Sequence, residues 1–422
     1  MRANVKLSLL FFIAISNYVT AQKNSDDSVA YHAPAAVVKS KLNLPMAGCL
    51  FDWQTNSTAF TNSFLLDVRR DLVLTRESVD NSAKKLKNTN YFVNYAEGGI
   101  YYVFPLKKDS NLGIVIESSA ATFQDASFHK NTYNLVLYGN ARYRNEKLDF
   151  SGLFYRNIEY QKIGVGIRNY FQAKTQCITA TIDFILGDYA NQFKIERGSI
   201  FTEQNGEFLD IDLRYERHTS SLGAGINNPK GYGAALNINW IKLFAKAKTT
   251  LCVEIRNMGL VHYGATTGIQ TVDTAIHFTG IDLGAFSSVS SFSSAGLKDS
   301  ILNKFNLESR EEAFNFTLPS LLGIRVEHVL SPRSIIQFQT NAYLYNALPM
   351  LKVGYLYLLN KNLYLGTGTR IGGYSKFDLD LMARYRNKKM YFEFSLKSIE
   401  GLLNPKQGSG LGAFLDWSFY LK

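Results

Sequence analysis

The sequence predicts an all-β fold, a transmembrane antiparallel β-barrel, and three observations predict it. Apolar and polar residues alternate with period two in one segment after another from about Gly99 to the end of the chain, so each segment has one apolar and one polar face. The alternating runs are about 9–11 residues long, the length a tilted strand needs to cross hydrocarbon, whereas soluble strands average about 5–6. Aromatic residues make up 14% of the chain, with 29 Phe and 25 Tyr, and barrels place aromatic girdles at both membrane interfaces. The mean hydropathy of −0.10 fits this class, because lipid and lumen faces average out. The strand number expected is roughly 14, within about 12–16, even-numbered as single-chain barrels are.

Met1–Ala21 reads as a secretory signal peptide, with basic Arg2 and Lys6, an apolar run over Leu7–Ile15, and Val19-Thr20-Ala21 before the cut. The run is too short for a membrane-spanning helix. Cleavage after Ala21 leaves Gln22, not a lipid-accepting cysteine, as the first mature residue. Residues 22–90 are irregular and polar, with Asp26, Asp27, Pro34 and Pro45 early and a short polar helix expected over Arg76–Lys87. This stretch is expected to be a plug, a periplasmic extension or a set of short preliminary strands, with the barrel at 91–422.

Within the barrel, Gly99–Leu106 and Leu112–Ser118 flank Lys107-Lys108-Asp109-Ser110, a hairpin signal. A second hairpin is expected from Tyr133–Tyr143 and Leu148–Tyr155. Strands follow at Ile163–Ile167, Ile178–Phe184, Leu209–Tyr215, Leu236–Trp240 and Leu251–Ile255, the alternation being cleanest at Leu209–Tyr215. An irregular insertion near 257–317 interrupts them. It holds one short strand near Ala275–Leu283, a Ser-rich loop, and Leu297, Ile301, Leu302 and Phe305 at helical spacing. The rhythm resumes after Pro319 and runs to Gly410–Lys422, where Leu411, Ala413, Leu415, Trp417, Phe419 and Leu421 share a face. Leu415, Trp417 and Phe419 are the expected assembly signal for the barrel-assembly machinery, and outer-membrane lipid is the expected surrounding.

The polar faces form a predicted lumen charge network that includes Asp210, Asp212, Arg214, Glu254, Arg256, Lys376, Asp378, Asp380, Arg384 and Arg386. The signs nearly balance, whereas an ion-selective pore carries a bias. A narrow or plugged, crosslinked interior is therefore expected. The formal net charge of +11 includes two cations of the signal peptide. No run of five or six Lys/Arg occurs, so no nucleic-acid partner is expected.

Cys49, Cys177 and Cys252 are an odd, widely spaced set with no metal-site pattern. No zinc, calcium or phosphate-loop motif is present, and no metal or cofactor is expected. His218-Thr219-Ser220 puts a hydroxyl two residues from an imidazole with Glu216 in line, an arrangement that suits nucleophilic catalysis. Such a triplet also arises by chance in a Ser-rich chain, and no enzyme is expected.

Phe278-Thr279-Gly280-Ile281-Asp282-Leu283, Leu318-Pro319 at the opening of a strand, and Ile399-Glu400-Gly401-Leu402-Leu403-Asn404-Pro405 before the last strand carry a resemblance. The chain resembles a family of exported bacterial outer-membrane barrels of unassigned function, broadly similar to the long-chain fatty-acid transporter (FadL-like) barrels. The resemblance implies about 14 strands with an N-terminal segment folded inside. The transporters' hatch motif has no counterpart in residues 22–90, so no binding residues carry over. The leading expectation is a barrel that passes or binds a small molecule, a hydrophobic ligand being one candidate. The alternatives are a scaffold for envelope or secretion proteins and a lipid-modifying enzyme.

Overall fold

The computed structural model describes residues 45–421, apart from 71–72, 107–110, 172–174, 224–226, 265–266, 280–307, 344–348, 375–376 and 388. β1 (Met46–Ser57) leads into two short helices, α1 (Asn62–Arg70) and α2 (Arg76–Ala83). The long hairpin of β2 (Thr89–Pro105) and β3 (Leu112–His129) follows, then α3 (Lys130–Tyr138) and the short β4 (Lys147–Asp149). Next come β5 (Phe154–Phe171), β6 (Gln176–Thr202), β7 (Leu209–Thr219), β8 (Gly231–Phe244), β9 (Thr249–Tyr263) and β10 (Gly268–Phe278). β11 (Glu308–Glu311) and β12 (Phe314–Thr317) precede a regular run: β13 (Leu321–Ser331), β14 (Ser334–Tyr343), β15 (Met350–Leu358), β16 (Leu363–Gly372), β17 (Phe377–Arg386) and β18 (Met390–Lys397). A last helix, α4 (Ile399–Leu403), leads into β19 (Gly410–Tyr420).

Fourteen strands close an antiparallel ring in the order β1, β2, β3, β5, β6, β8, β9, β13 through β19, and back to β1. Closure runs from Met46 opposite Tyr420 to Asn56 opposite Gly410, which leaves the wall no open edge, as hydrocarbon requires. The outer face is apolar and uncovered, while the inner face is buried. Val165 and Ile182 point outward at 60% and 64% exposure, whereas their inward neighbours Lys162 and Asp183 are at 7% and 0%. A belt of this kind around a closed ring is a lipid-facing surface, and the protein is an outer-membrane barrel.

The two rims differ. At one, strands are joined by the short connections 245–248, 332–333, 359–362 and 387–389, and both Met46 and Tyr420 lie there. At the other, connections are long and carry α1 to α4. Short turns belong to the periplasmic rim and long loops to the exterior one. The exterior wall is taller on one side, because β6 outlasts its neighbours. Its first half, Gln176–Gly187, pairs with β8 in the ring; its second, Asn191–Thr202, pairs with β7 above it. β7 pairs with β10 and β10 with β11, so a small sheet projects from the rim.

Four expectations are corrected. The wall begins at Met46, not at residue 91, because β1 is paired on both sides, with β19 and β2. Its alternation is hard to see, since Gly48 and Cys49 interrupt it and Thr55 turns outward under α1, where Arg69 Nη2 donates to its hydroxyl at 3.0 Å. Residues 58–88 form the two-helix connection, and the expected polar helix is α2. The strand expected at Tyr133–Tyr143 is instead α3, capped by His129 Nδ1 accepting from Asn131 N at 3.2 Å. Tyr133 and Leu137, one turn apart, pack with Phe64, Val79 and Phe128, so helical spacing wins over alternation. β7, the cleanest alternation of all, lies outside the ring, because a period of two serves any half-covered sheet. The signal peptide and the 107–110 turn lie outside the described residues, as do the Ser-rich loop and the helical spacing at 297–305.

Helices α1, α2 and α3 lean on the outward face of β1 to β3, where Phe60 packs on Phe92 and Phe128 at 5.9 and 5.3 Å. The Tyr138 hydroxyl donates to Asp80 at 2.7 Å, which, with Arg76 beside it, holds that carboxyl below its usual range. Removing Trp417–Lys422 deletes the partners of Met46–Cys49 and of Met390–Phe392. The expected outcome is loss of closure, read as loss of heat-modifiable migration in gels after membrane extraction.

Candidate functional site in the barrel lumen

A circular ring of this size encloses more space than wall side chains can fill, since about eight strands already suffice to hold a side-chain core. Here the interior is filled nonetheless, because walls on opposite sides meet. Phe123 of β3 reaches Tyr343 of β14, nearly across the ring, with ring centroids 5.5 Å apart. Tyr374 packs on both Tyr91 and Tyr343 at 6.5 Å and donates to Asp125 Oδ2 at 3.3 Å. These residues belong to an apolar layer in the exterior half of the lumen, completed by Ile158, Tyr160, Ile185, Val261, Tyr263, Phe314, Phe316 and Leu318. Among the described residues, the buried Tyr160 hydroxyl has no hydrogen-bond partner.

Beneath that layer lies a floor of paired charges. Lys162 Nζ lies 2.8 Å from Glu97 Oε1 and 3.6 Å from Asp183 Oδ2, and donates to Asn257 Oδ1 at 3.0 Å. Asn257 sits in the left-handed region at φ 55°, which Asn tolerates better than most residues. It marks a bulge in β9, where Arg256 and Asn257 stand opposite Asn237, so Asn237 keeps its pairing with Thr181 of β6 but has no regular partner on β9. The Asn237 side chain donates to Asp183 Oδ2 at 2.7 Å and accepts from Asn257 N at 2.7 Å. One extra residue thus aims two amides into the charge cluster. Gly164 serves the same cluster, because a Cβ there would collide with the Asp183 carboxylate and with Glu117.

A second cluster joins β15, β16 and β17. Arg370 Nε lies 3.1 Å from Asp380 Oδ1 and its Nη2 3.3 Å from Asp378 Oδ2, while Lys352 Nζ is 2.8 Å from Asp380. The third sits nearer the periplasmic rim, where Arg384 bridges Glu327 at 2.9 Å and Glu393 at 3.0 Å. Lys397, at the exterior end of β18, pairs with Asp52 beside the second cluster. Buried charges are tolerated only when paired in this way.

The sequence-predicted lumen residues divide accordingly. Asp378, Asp380 and Arg384 are in the buried clusters, Glu254 and Arg256 face inward 3.6 Å apart, and Arg386 ends β17 at the periplasmic rim. Among the described residues, Asp378 pairs with Arg370 of the adjacent β16, and Asp380 pairs with Arg370 and with Lys352 of β15. Asp210, Asp212 and Arg214 are not in the lumen. They lie on β7 in the projecting sheet, where Arg197 bridges Asp212 at 2.7 Å and Asp273 at 2.8 Å in solvent. Lys376 lies outside the described residues. Leu415, Trp417 and Phe419 face outward on β19, with the last two rings 5.7 Å apart. All three cysteines are free thiols; Cys177 and Cys252 face inward, separated by Ile241 on the intervening strand.

The triplet on β7 does not assemble for catalysis. His218 is bound to Glu216 and edges Phe314 at 5.3 Å. Ser220 is buried, and its Oγ accepts from Ala190 N at 2.8 Å. The hydroxyl seals the junction where β6 leaves β8 for β7. Glu97, Tyr95, Asn237 and Asn257 are central residues that alternation alone does not reveal, although the inward Gly164 was a signal that something bulky faces it.

No family model matches the sequence, and no curated protein matches it. Among solved structures, the fold is similar to the P. putida toluene transporter TodX, with 8% identity, 90% of each chain covered and a TM-score of 0.44. It is also similar to the Ralstonia pickettii toluene transporter TbuX, at 8% identity, 90% coverage of each chain and 0.41. The monoaromatic hydrocarbon channel CymD matches at 6% identity over 91% of this chain and 90% of its own, with 0.32. The ring closure itself rests on the strand pairing.

Lys162→Met leaves Glu97 and Asp183 buried without their shared ammonium. The expected cost is about 3–5 kcal/mol, measured by urea unfolding in detergent, with part of it recovered when Glu97→Gln and Asp183→Asn are added.

Proposed function

We propose that this barrel takes a small hydrophobic molecule into the exterior half of its lumen and is not an open aqueous channel. The observation that carries the reading is the division of the interior. An aromatic, largely apolar layer, which holds the buried Arg156–Asp125 pair on its exterior side, lies above a crosslinked charge floor. An apolar guest gains by entering the upper layer, while water and ions meet the paired charges and find no continuous path. The unpartnered Tyr160 hydroxyl, embedded among Phe and Tyr rings, favours a guest with one hydrogen-bonding group. Such a guest is admitted by displacement of the Tyr374 and Tyr343 rings, since the layer is closed as it stands.

A second reading is favoured by the same closed interior together with the projecting sheet of β6, β7, β10 and β11. A sealed barrel that holds a charged sheet above the rim suits a scaffold for envelope proteins. Catalysis has no support in the placement of Ser220.

Purified protein in planar bilayers is expected to show no steady ion conductance under either reading, and a porin-like current overturns both. Binding of naphthalene and 1-naphthol, followed by equilibrium dialysis, separates them. The uptake reading expects saturable binding of both, tighter for 1-naphthol. Tyr160→Phe is expected to erase that preference, up to about tenfold for one hydrogen bond. Absence of saturable binding leaves the scaffold reading.

A further inference from the structure

Helices α1 and α2 form a collar on the outside of the wall at the exterior rim, and α4 sits on the upper edge of the wall beside it. Three contacts fix this. Arg69 of α1 stacks over Trp53 at 5.3 Å and donates to Thr55, both outward residues of β1. Asn62 of α1 donates to the Gly410 carbonyl at 2.8 Å, and Ser63 N to the Pro405 carbonyl at 2.9 Å, tying α1 to the segment that holds α4. Glu400 of α4 accepts from Leu379 N at 2.8 Å and stands beside inward Asp378, so α4 sits on top of the wall at the exterior end of β17, where β18 has already stopped.

The collar and α4 expose apolar side chains where a water-facing surface would not. Leu403 is 81% exposed, and Leu402, Leu66 and Val68 are exposed with it. They are not isolated. The lipid-facing belt rises on β16 and β17 to Ile371 and Phe377, both exposed at the end of their strands. α4 lies immediately beyond, and on the other flank Phe51 and Trp53 lead up to α1. The apolar surface of the wall thus reaches the level of the collar on both flanks, with outward Thr55 and Arg69 between Trp53 and α1. Exposed cations accompany it: Arg69 and Arg70 end α1, and Lys84 and Lys87 follow α2. Such pairing of apolar side chains with Lys and Arg is the composition of helices that lie in a membrane interface.

We propose that the collar of α1 and α2, together with α4, is seated in the outer leaflet, with Leu402, Leu403, Leu66 and Val68 in the boundary between head groups and acyl chains and its cations on anionic head groups. The occupant of this surface is lipid. It anchors the side of the barrel formed by β17 to β19 and β1 to β3, and sets the depth at which the ring rides in the membrane.

The test uses full-length protein in vesicles of phosphatidylcholine with and without phosphatidylglycerol. Leu403→Trp adds one indole at an exposed position, and its emission is obtained by difference from the wild type. The expected result is a blue-shifted emission that is lost when acyl chains carry bromine near the head-group end. The loss is expected to be larger with phosphatidylglycerol present and to shrink in high salt. Leu66→Trp, on the other flank, is expected to behave alike. An added emission typical of indole in water, unaffected by bromine at either position, overturns the proposal. A blue shift that appears only on adding an envelope extract also overturns it, in favour of a protein partner. Equal quenching with and without phosphatidylglycerol overturns the head-group contact.

Discussion

The contact between Phe123 and Tyr343 expresses the constraint on which the rest of the interior depends: the ring is not round. Fourteen strands in a circular barrel would leave a space that only water, a separate plug or a ligand could fill. Here the two walls approach until their side chains meet. Everything below follows from that approach. Side chains three and four strands apart come close enough to bond, so Arg384 reaches from β17 to Glu327 on β13, and Lys162 reaches from β5 to Asn257 on β9. Because they pair, they can be buried, and because they are buried, the lumen is dry enough for the pairing to be strong.

Much of this was legible in the sequence, and the parts that were not have physical reasons. Alternation identifies strands and their faces, so Asp378, Asp380 and Arg384 are correctly turned inward. It cannot distinguish a strand of the ring from one that extends a sheet beyond it, which is why Asp210, Asp212 and Arg214 were placed in the lumen. Both kinds of strand have one covered face. β1 was missed for the opposite reason. At its exterior end Thr55 faces outward, but under α1, so polarity there reports a helix and not solvent or lipid.

The balance of signs along the polar faces did foretell a crosslinked interior, but not who pairs with whom. Partners are set by register and by departures from it. The bulge at Asn237 and Asn257 moves two amides into the Lys162 cluster, and no period-two pattern encodes a single inserted residue. The glycines facing it were the visible trace, since Gly164 leaves room for the Asp183 and Glu117 carboxylates.

The seam between β1 and β19 has a kinetic consequence. It joins the first strand of the ring to the last, so the wall cannot close until the final residues of the chain are in place. Asp52 and Lys397 sit beside that seam, on β1 and at the end of β18. Until closure, the inward charges of β2, β5 and β17 face an open trough that water can enter. The seam also brings Lys397 of β18 to Asp52 of β1. A fault at the C-terminal strand would therefore strand the intermediate with a wet, charged trough inside the bilayer, a species ready for capture by quality-control proteases.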